Sequence, residues 1–313
     1  MTSMTRKRPV QRRPLRLRMR EHRNLYLMVL PAALCVFVFV YLPLWGVFTA
    51  FYDYNPGLGF PGSPFVGLKH FIRFFTDSAF PMLIRNTIAI SLLNIVFGTL
   101  TAILFAVLLN ELVGIRFKKL VQTVSYLPHF VSFVVVSNIA YTVFSTGGVV
   151  NDLLVKLGVV QRPIVFFTIP KAFWFLVTGL NVWKEMGWSA IIYIAAIAGI
   201  DPSLYEAAMV DGAGRLRRIW NITMPGIMPT IVVLLILAVP DLLSAGFDAS
   251  YLLGNSMVSN FSEVLDTYVY RTGIREGQYS YAAAIGLTRQ LVGLVLILMA
   301  NGFSRKVSEY SLF

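Results

Sequence analysis

Six stretches of this chain, each about 20 residues or longer, are almost purely apolar: 24–51, 85–112, 119–145, 171–200, 229–247 and 281–303. A bilayer core about 30 Å thick is crossed by about 20 apolar residues in a helix. In lipid every backbone N–H and C=O must find its partner within the segment, so such a run is read as a helix. None of the six alternates apolar and polar residues as a barrel strand would. Only 13% of the residues are charged, about half of what a soluble domain uses to cover its surface. The predicted fold class is therefore all-α integral membrane, with six transmembrane helices and a cytoplasmic two-helix segment between the fourth and fifth. The predicted organisation is a basic cytoplasmic tail over 1–23, one transmembrane domain over 24–303 with the interrupting segment at 201–229, and a cytoplasmic tail over 304–313.

Charge sets the orientation. Of a net charge of +12, much is local: Arg6, Lys7, Arg8, Arg12, Arg13, Arg16, Arg18, Arg20 and Arg23 all precede the first run. With that end inside, the inner segments also hold Arg116, Lys118, Lys119, Arg215, Arg217, Arg218, Arg305 and Lys306. The outer loops hold Lys69, Arg73, Lys156, Arg162, Arg271 and Arg275, diluted by seven carboxylates. Every inner segment then obeys the positive-inside rule, and both termini are predicted to be cytoplasmic. Such a tail reads as an orientation signal touching anionic lipid, with no nucleic-acid partner. The first run is too long for the apolar core of a signal peptide, and no small-residue cleavage site follows it. The single cysteine, Cys35, gives neither a disulfide framework nor a thiolate metal site. A short surface helix is predicted over 147–157.

Between the fourth and fifth runs stands "YEAAMVDGAGRLRRIWNITMPGIMP", residues 205–229. Asp201 followed by Pro202 is a helix-start signature, and Gly212 is a stop. A second short helix is predicted from Arg215 to about Thr223, ending before Pro225. Ala207, Ala208 and Gly212 are small enough to admit another backbone. Glu206 and Asp211 offer carboxylates, and Arg215, Arg217 and Arg218 the opposite charge. On residues alone, this is either a docking element for another protein or an interfacial loop with its arginines on headgroups.

Glu206-Ala207-Ala208, then Gly212, Ile222 and Met224-Pro225, at this spacing resembles the EAA motif of permease subunits in binding-protein-dependent ATP-binding-cassette (ABC) importers. Met224 departs from the leucine of that pattern and keeps an unbranched apolar side chain. The resemblance implies a coupling helix in which Glu206, Ala207, Ala208 and Gly212, with Asp211 and Pro225 in the same segment, contact an ATPase subunit. "YLPHFVS" at 126–132, "FDASYLLGN" at 247–255 and "VLDTYVYRTGIREGQYSYAAAIGL" at 264–287 are similar to the subgroup importing oligosaccharides and polysaccharide fragments, alginate among them. The implied function is the translocation-pathway subunit of an ATP-driven carbohydrate importer in the bacterial cytoplasmic (inner) membrane. The implied partners are a second, different but similar permease, two ATPase subunits and an extracytoplasmic solute-binding protein. The chain has no G-x-x-x-x-G-K-[ST] phosphate loop, so ATP and Mg belong to the ATPase partners, and no catalytic or metal-ligating residues are assigned here.

Charges inside the predicted spans are costly, at about 2.5–3.5 kcal/mol each near a helix centre. Lys184, Glu185, Asp241 and Arg289 are such charges. "NVWKEMGW" at 181–188 combines indoles with polar groups, as a sugar site does. The pathway residues predicted are Asn181, Trp183, Lys184 and Trp188, with Arg289 and Gln290 from the last span. Lys184 and Glu185 are neighbours about 100° apart on a helix and are not expected to serve one spot. The alternatives are packing indoles and an Arg289 ion pair with Asp241 or with a partner. Lys184 and Arg289 both facing the path would suit an anionic oligosaccharide such as alginate fragments. His129 reads as a packed residue beside the Pro128 kink rather than a proton relay. The rival reading is an ion-coupled secondary transporter acting without an ATPase; it calls for inverted repeats, and no repeat is visible.

Overall fold

The computed structural model describes residues 23–307. The basic tail expected over 1–23, apart from Arg23, lies outside the described residues, as do 308–313 of the expected C-terminal tail. Among the described residues there is no strand; the architecture is helical throughout. Among the described residues four helices are long and apolar enough to cross a membrane: α1 (Arg23–Phe51), α3 (Phe80–Asn110), α9 (Arg215–Leu243) and α12 (Tyr279–Val307). Two bent pairs raise the number to six if each pair is one span. One is α4 (Ile115–Phe130) with α5 (Phe133–Val143), bent by 102°. The other is α7 (Pro170–Ala198) with α8 (Pro202–Val210), bent by 69°. Short helices fill the connections: α2 (Lys69–Thr76), α6 (Val149–Lys156), α10 (Phe247–Leu253) and α11 (Leu265–Tyr270). Helix α6 occupies the position of the predicted surface helix.

The third apolar run differs from its prediction as one helix over 119–145. Val131 and Ser132 are extended, and the Ser132 side chain caps α5. Pro128 has no N–H to give to the turn before it, which weakens the helix just where it ends. The fifth run differs the other way. No separate helix ends before Pro225, because α9 runs unbroken from Arg215. A π-helical stretch, Ile219–Thr223, leads into Pro225, and Pro229 lies inside the helix. Proline donates no N–H, and the chain passes Pro225 through a wider turn in which the Met224 amide donates to the Ile219 carbonyl. At its far end α9 stops at Leu243 rather than 247, and the last helix is longer than the predicted 281–303.

The core is built around α3 and α7, the most extensive helix pairing in the molecule. Ala102, Ala106, Ala190 and Ile227 pack the end nearest α8. Phe173, Val177, Leu253 and Val264 pack the other. Helix α4 crosses α7 so closely that a Cβ on Gly187 would sit 2.1 Å from the Ser125 carbonyl oxygen, so only glycine permits the crossing. Helix α1 is the exception: no residue in its most apolar window is buried.

Residues 247–275 form an arm that folds back along α3 and α12. Expected as an outer loop, it is instead packed into the helices, and its irregular backbone is satisfied by polar side chains from the apolar runs. Buried Asn86 donates to the carbonyls of Asn260 (3.1 Å) and Glu263 (2.8 Å). Buried Thr87 accepts the Leu265 amide at 3.0 Å, and the Trp174 indole donates to Phe261 at 2.9 Å. Where water is absent such groups must be paired, so these side chains specify the arm's path. Asp77 closes the same end, accepting from Tyr268 (2.8 Å), Tyr281 (2.7 Å) and the Ala79 amide (2.9 Å).

Candidate functional site

Helices α3, α7 and α9 enclose a cavity of about 690 Å³, within the size range of ligand clefts. Its wall is mostly apolar, with polar groups from Asn94, Asn181, Glu185, Trp188 and Ser244. Asn181 donates to the Asn94 side chain at 3.4 Å, bridging α7 to α3. Of the predicted pathway residues, Asn181 and Trp188 lie on this cavity. Trp183 does not line it and is half exposed. Arg289 and Gln290 line a separate, smaller cavity of about 330 Å³ that shares Ser244 with the central one.

The prediction that Lys184 and Glu185 serve different spots is corrected. The Lys184 ammonium lies 2.8 Å from Glu185 Oε1 and 2.8 Å from the His129 carbonyl oxygen. Helix geometry fixes where Cβ points, but a four-carbon stem reaches well past it. The other Glu185 oxygen, Oε2, is 2.6 Å from His129 Nδ1. The His129 ring lies flat on the Trp188 indole, with centroids 4.3 Å apart and planes within 1°. One cluster thus holds the broken end of α4 against α7, with Glu185 on the cavity wall and Lys184 behind it. His129 is packed beside the kink, as its sequence position suggests, and also pairs with a carboxylate.

Arg289 is corrected similarly. Its counter-charge is Asp266 on the arm rather than Asp241, and it also donates to Ser244 at 3.2 Å. Asp266 Oδ2 is buried without a hydrogen-bond partner among the described residues.

The segment expected from sequence to couple to an ATPase subunit is an exposed helix, α8, with no buried residue. Asp201 caps it, accepting the Ser203 amide at 2.9 Å, and that hydrogen bond holds the Asp201 carboxyl below its ordinary range. Glu206 and Ala207 are exposed, and Ala208 is half-buried. The helix ends at Asp211, where Gly212 takes φ +74°, a left-handed turn that favours glycine. Asp211, Gly212 and Pro225 are exposed. The Tyr205 hydroxyl and Thr223 Oγ1, 3.0 Å apart, tie α8 to the start of α9. Ala208, Asp211, Arg217 and Arg218 rim a shallow polar hollow of about 300 Å³ between them.

Sequence reasoning missed Asn94, Asp266 and the cavity role of Glu185. Asn94, an amide in the middle of an apolar run, is the signal that the sequence offers. Among the described residues no three His, Cys, Asp or Glu side chains gather as metal ligands would.

The model of the family described as binding-protein-dependent transport system inner membrane component matches residues 94–309. The polygalacturonan/rhamnogalacturonan transport system permease protein YteP of Bacillus subtilis (strain 168) is 44% identical over 304 residues, covering 97% of this chain and 94% of that protein. Protein LplB of the same organism is 42% identical over 292 residues, covering 92% and 91%. Among solved structures, a chain of a bacterial alginate ABC transporter, crystallised in complex with an alginate pentasaccharide-bound periplasmic protein, superposes with a TM-score of 0.86. It is 37% identical, covering 95% of this chain and 99% of that one.

Proposed function

Because the chain belongs to the family of binding-protein-dependent transport system inner membrane components, we propose that its central cavity is one subunit's share of a saccharide path. The protein is the permease subunit of a carbohydrate ABC importer. The finer reading is an importer of acidic oligosaccharides, with both chain ends cytoplasmic, six spans, and the domain boundaries predicted from sequence. A second permease completes the path, two ATPase subunits supply ATP hydrolysis with Mg, and a solute-binding protein delivers the saccharide from outside.

The observation that carries this reading is a connection. The exposed helix α8 joins α7 to α9, and those two helices supply most of the cavity wall. A pull on α8 is transmitted to Asn181, Glu185 and Trp188 on one side and to the 234–246 segment on the other. Glu206, Ala207, Ala208, Asp211 and Gly212 would meet the ATPase subunit, with Pro225 fixing the entry of α9. A ligand or partner shifts a two-state equilibrium only by its differential affinity for the two states. ATPase closure around α8 provides that difference. An ion-coupled carrier would give α8 no task.

The test is uptake by vesicles holding the complete complex. Replacing Glu206 and Gly212 together is expected to abolish uptake and to release the ATPase subunits on purification. Full-speed uptake with both replaced overturns the reading.

A further inference from the structure

Helix α8 has two sides. Glu206 and Val210, one turn apart, are exposed on one of them. Ala208 and Asp211 stand on the roughly opposite side, where they form one wall of the polar hollow of about 300 Å³. The other wall is Arg217, Arg218 and Asn221 of α9. Neither arginine has a carboxylate within ion-pair reach among the described residues, Asp211 in the facing wall included. The Asn221 side chain donates to the Arg217 carbonyl at 2.8 Å and keeps its Oδ1 as an open acceptor. Two guanidinium groups and one carboxylate leave the hollow with a net positive charge.

The packing of α9 on α3 fixes the depth of this hollow. Ile227 packs in one cluster with Ala102. The two helices run in opposite directions there, since Asn94 and Leu234 line the central cavity on the far side of that cluster. Arg217 and Arg218 precede Ile227 by about 14 Å of helix, and α3 ends at Asn110, about 12 Å beyond Ala102. The arginines therefore stand level with the end of a helix that is long and apolar enough to span, where headgroups lie. Beside them Leu216 and Trp220, one turn apart on α9, are 74% and 68% exposed. Indoles anchor helices at that depth, and a guanidinium binds phosphate through two parallel N–H groups. An apolar strip beside a cationic hollow at headgroup level fits an amphiphile with an anionic head.

We propose that the hollow is a lipid site, which takes the headgroup of an anionic glycerophospholipid with a hydroxylated head, phosphatidylglycerol by its chemistry. The phosphate meets Arg217 and Arg218. The headgroup hydroxyls donate to the Asp211 carboxylate and to Asn221 Oδ1, and the acyl chains run along Leu216 and Trp220. A head of single negative charge balances the hollow. A zwitterionic ethanolamine head leaves the excess positive charge uncompensated, and the methylated ammonium of choline has no N–H for Asp211.

The test reads Trp220 fluorescence in the complete complex, as the native signal minus that of Trp220→Phe. The complex sits in phosphatidylcholine vesicles in which a minor fraction of the lipid carries brominated chains, which quench indoles on contact. Brominated phosphatidylglycerol is expected to quench Trp220 about five times as strongly as brominated phosphatidylcholine at the same fraction, the preference that two arginines at a membrane surface give an anionic lipid. Arg217→Gln with Arg218→Gln brings the two lipids level, while Arg217→Lys with Arg218→Lys keeps most of the difference. Excess inorganic phosphate leaves the quenching unchanged. Equal quenching by the glycerol and choline lipids in the native complex overturns the proposal, whether or not the variants assemble. Equal quenching by brominated phosphatidylethanolamine and phosphatidylglycerol overturns it too. Release of the quenching by inorganic phosphate assigns the hollow to a free anion, and a Trp220 that no brominated lipid reaches assigns it to protein docking; either result overturns the lipid site.

Discussion

The Lys184 ammonium caps one of the last carbonyls of a broken helix: it donates to the His129 oxygen at 2.8 Å, two residues before the chain turns extended at Val131. Helix C-termini end in unpaired carbonyls and carry partial negative charge, which a cation satisfies. Glu185, beside it, balances that charge at 2.8 Å.

Removing the cation therefore leaves both a carbonyl and a carboxylate short of a donor. Lys184→Met is expected to destabilise the complex by about 1–2 kcal/mol, discounted for the partial exposure of Glu185. Adding Glu185→Gln recovers part of the loss. Thermal unfolding of the purified complex measures this; additive losses in the double variant contradict the coupling.

The crossing of α4 and α7 leaves no room at residue 187. Gly187→Ala must displace the Ser125 backbone, because its Cβ would lie 2.1 Å from an oxygen. Overpacking of this kind costs about 1–3 kcal/mol. The expected result is a lower melting temperature and less assembled complex, while Gly98→Ala, in open space, changes neither. Equal behaviour of the two variants contradicts the close approach.

Asp77 gives a pH dependence to the end of the bundle where the arm packs. Burial opposes its charge, but the Ala79 amide and the Tyr281 and Tyr268 hydroxyls outweigh burial and hold its carboxyl below the usual range. A depressed carboxyl adds stability that is present above its unfolded value, about pH 4, and that is lost as pH falls through the lower folded value. Asp77→Asn should thus unfold at a lower temperature at pH 7, and the gap to the native protein should narrow below about pH 4. A gap that stays constant from pH 7 to pH 3 contradicts this.

Trp188 serves two contacts: it carries the His129 ring and also lines the cavity. Trp188→Ala is expected to raise the half-saturating saccharide concentration for uptake by about tenfold, a loss of about 1.4 kcal/mol. Trp183→Ala, away from the cavity, serves as the comparison and should change it less than twofold. Uptake assays on both variants decide it.

Much of this could be read from the chain. Hydropathy marks every long helix, and Asp201, Pro202 and Gly212 delimit α8 to within two residues. What could not be read depends on partners distant in sequence. Pro128 signals a kink, but the 102° break is held by Lys184, Glu185 and Trp188 from another helix. Pro225 and Pro229 look like stops because local rules do not foresee a π-helical turn absorbing them. From sequence, the counter-charges open to Arg289 are Asp241 or a group on a partner. Asp266, which belongs to a segment expected as an outer loop, reaches Arg289 because the arm folds back.

That last pairing also imposes an order on biogenesis. As the chain emerges from the ribosome, Asp266 is made 23 residues before Arg289. Until the final helix inserts, its carboxylate lacks the Arg289 partner, although Asn86 and Thr87 can already hold the backbone just before it. The stretch at Asp266 can settle only after the last helix arrives, so a nascent chain truncated ahead of Arg289 should remain open to proteases there, while 260–265 is already held by α3 and α7.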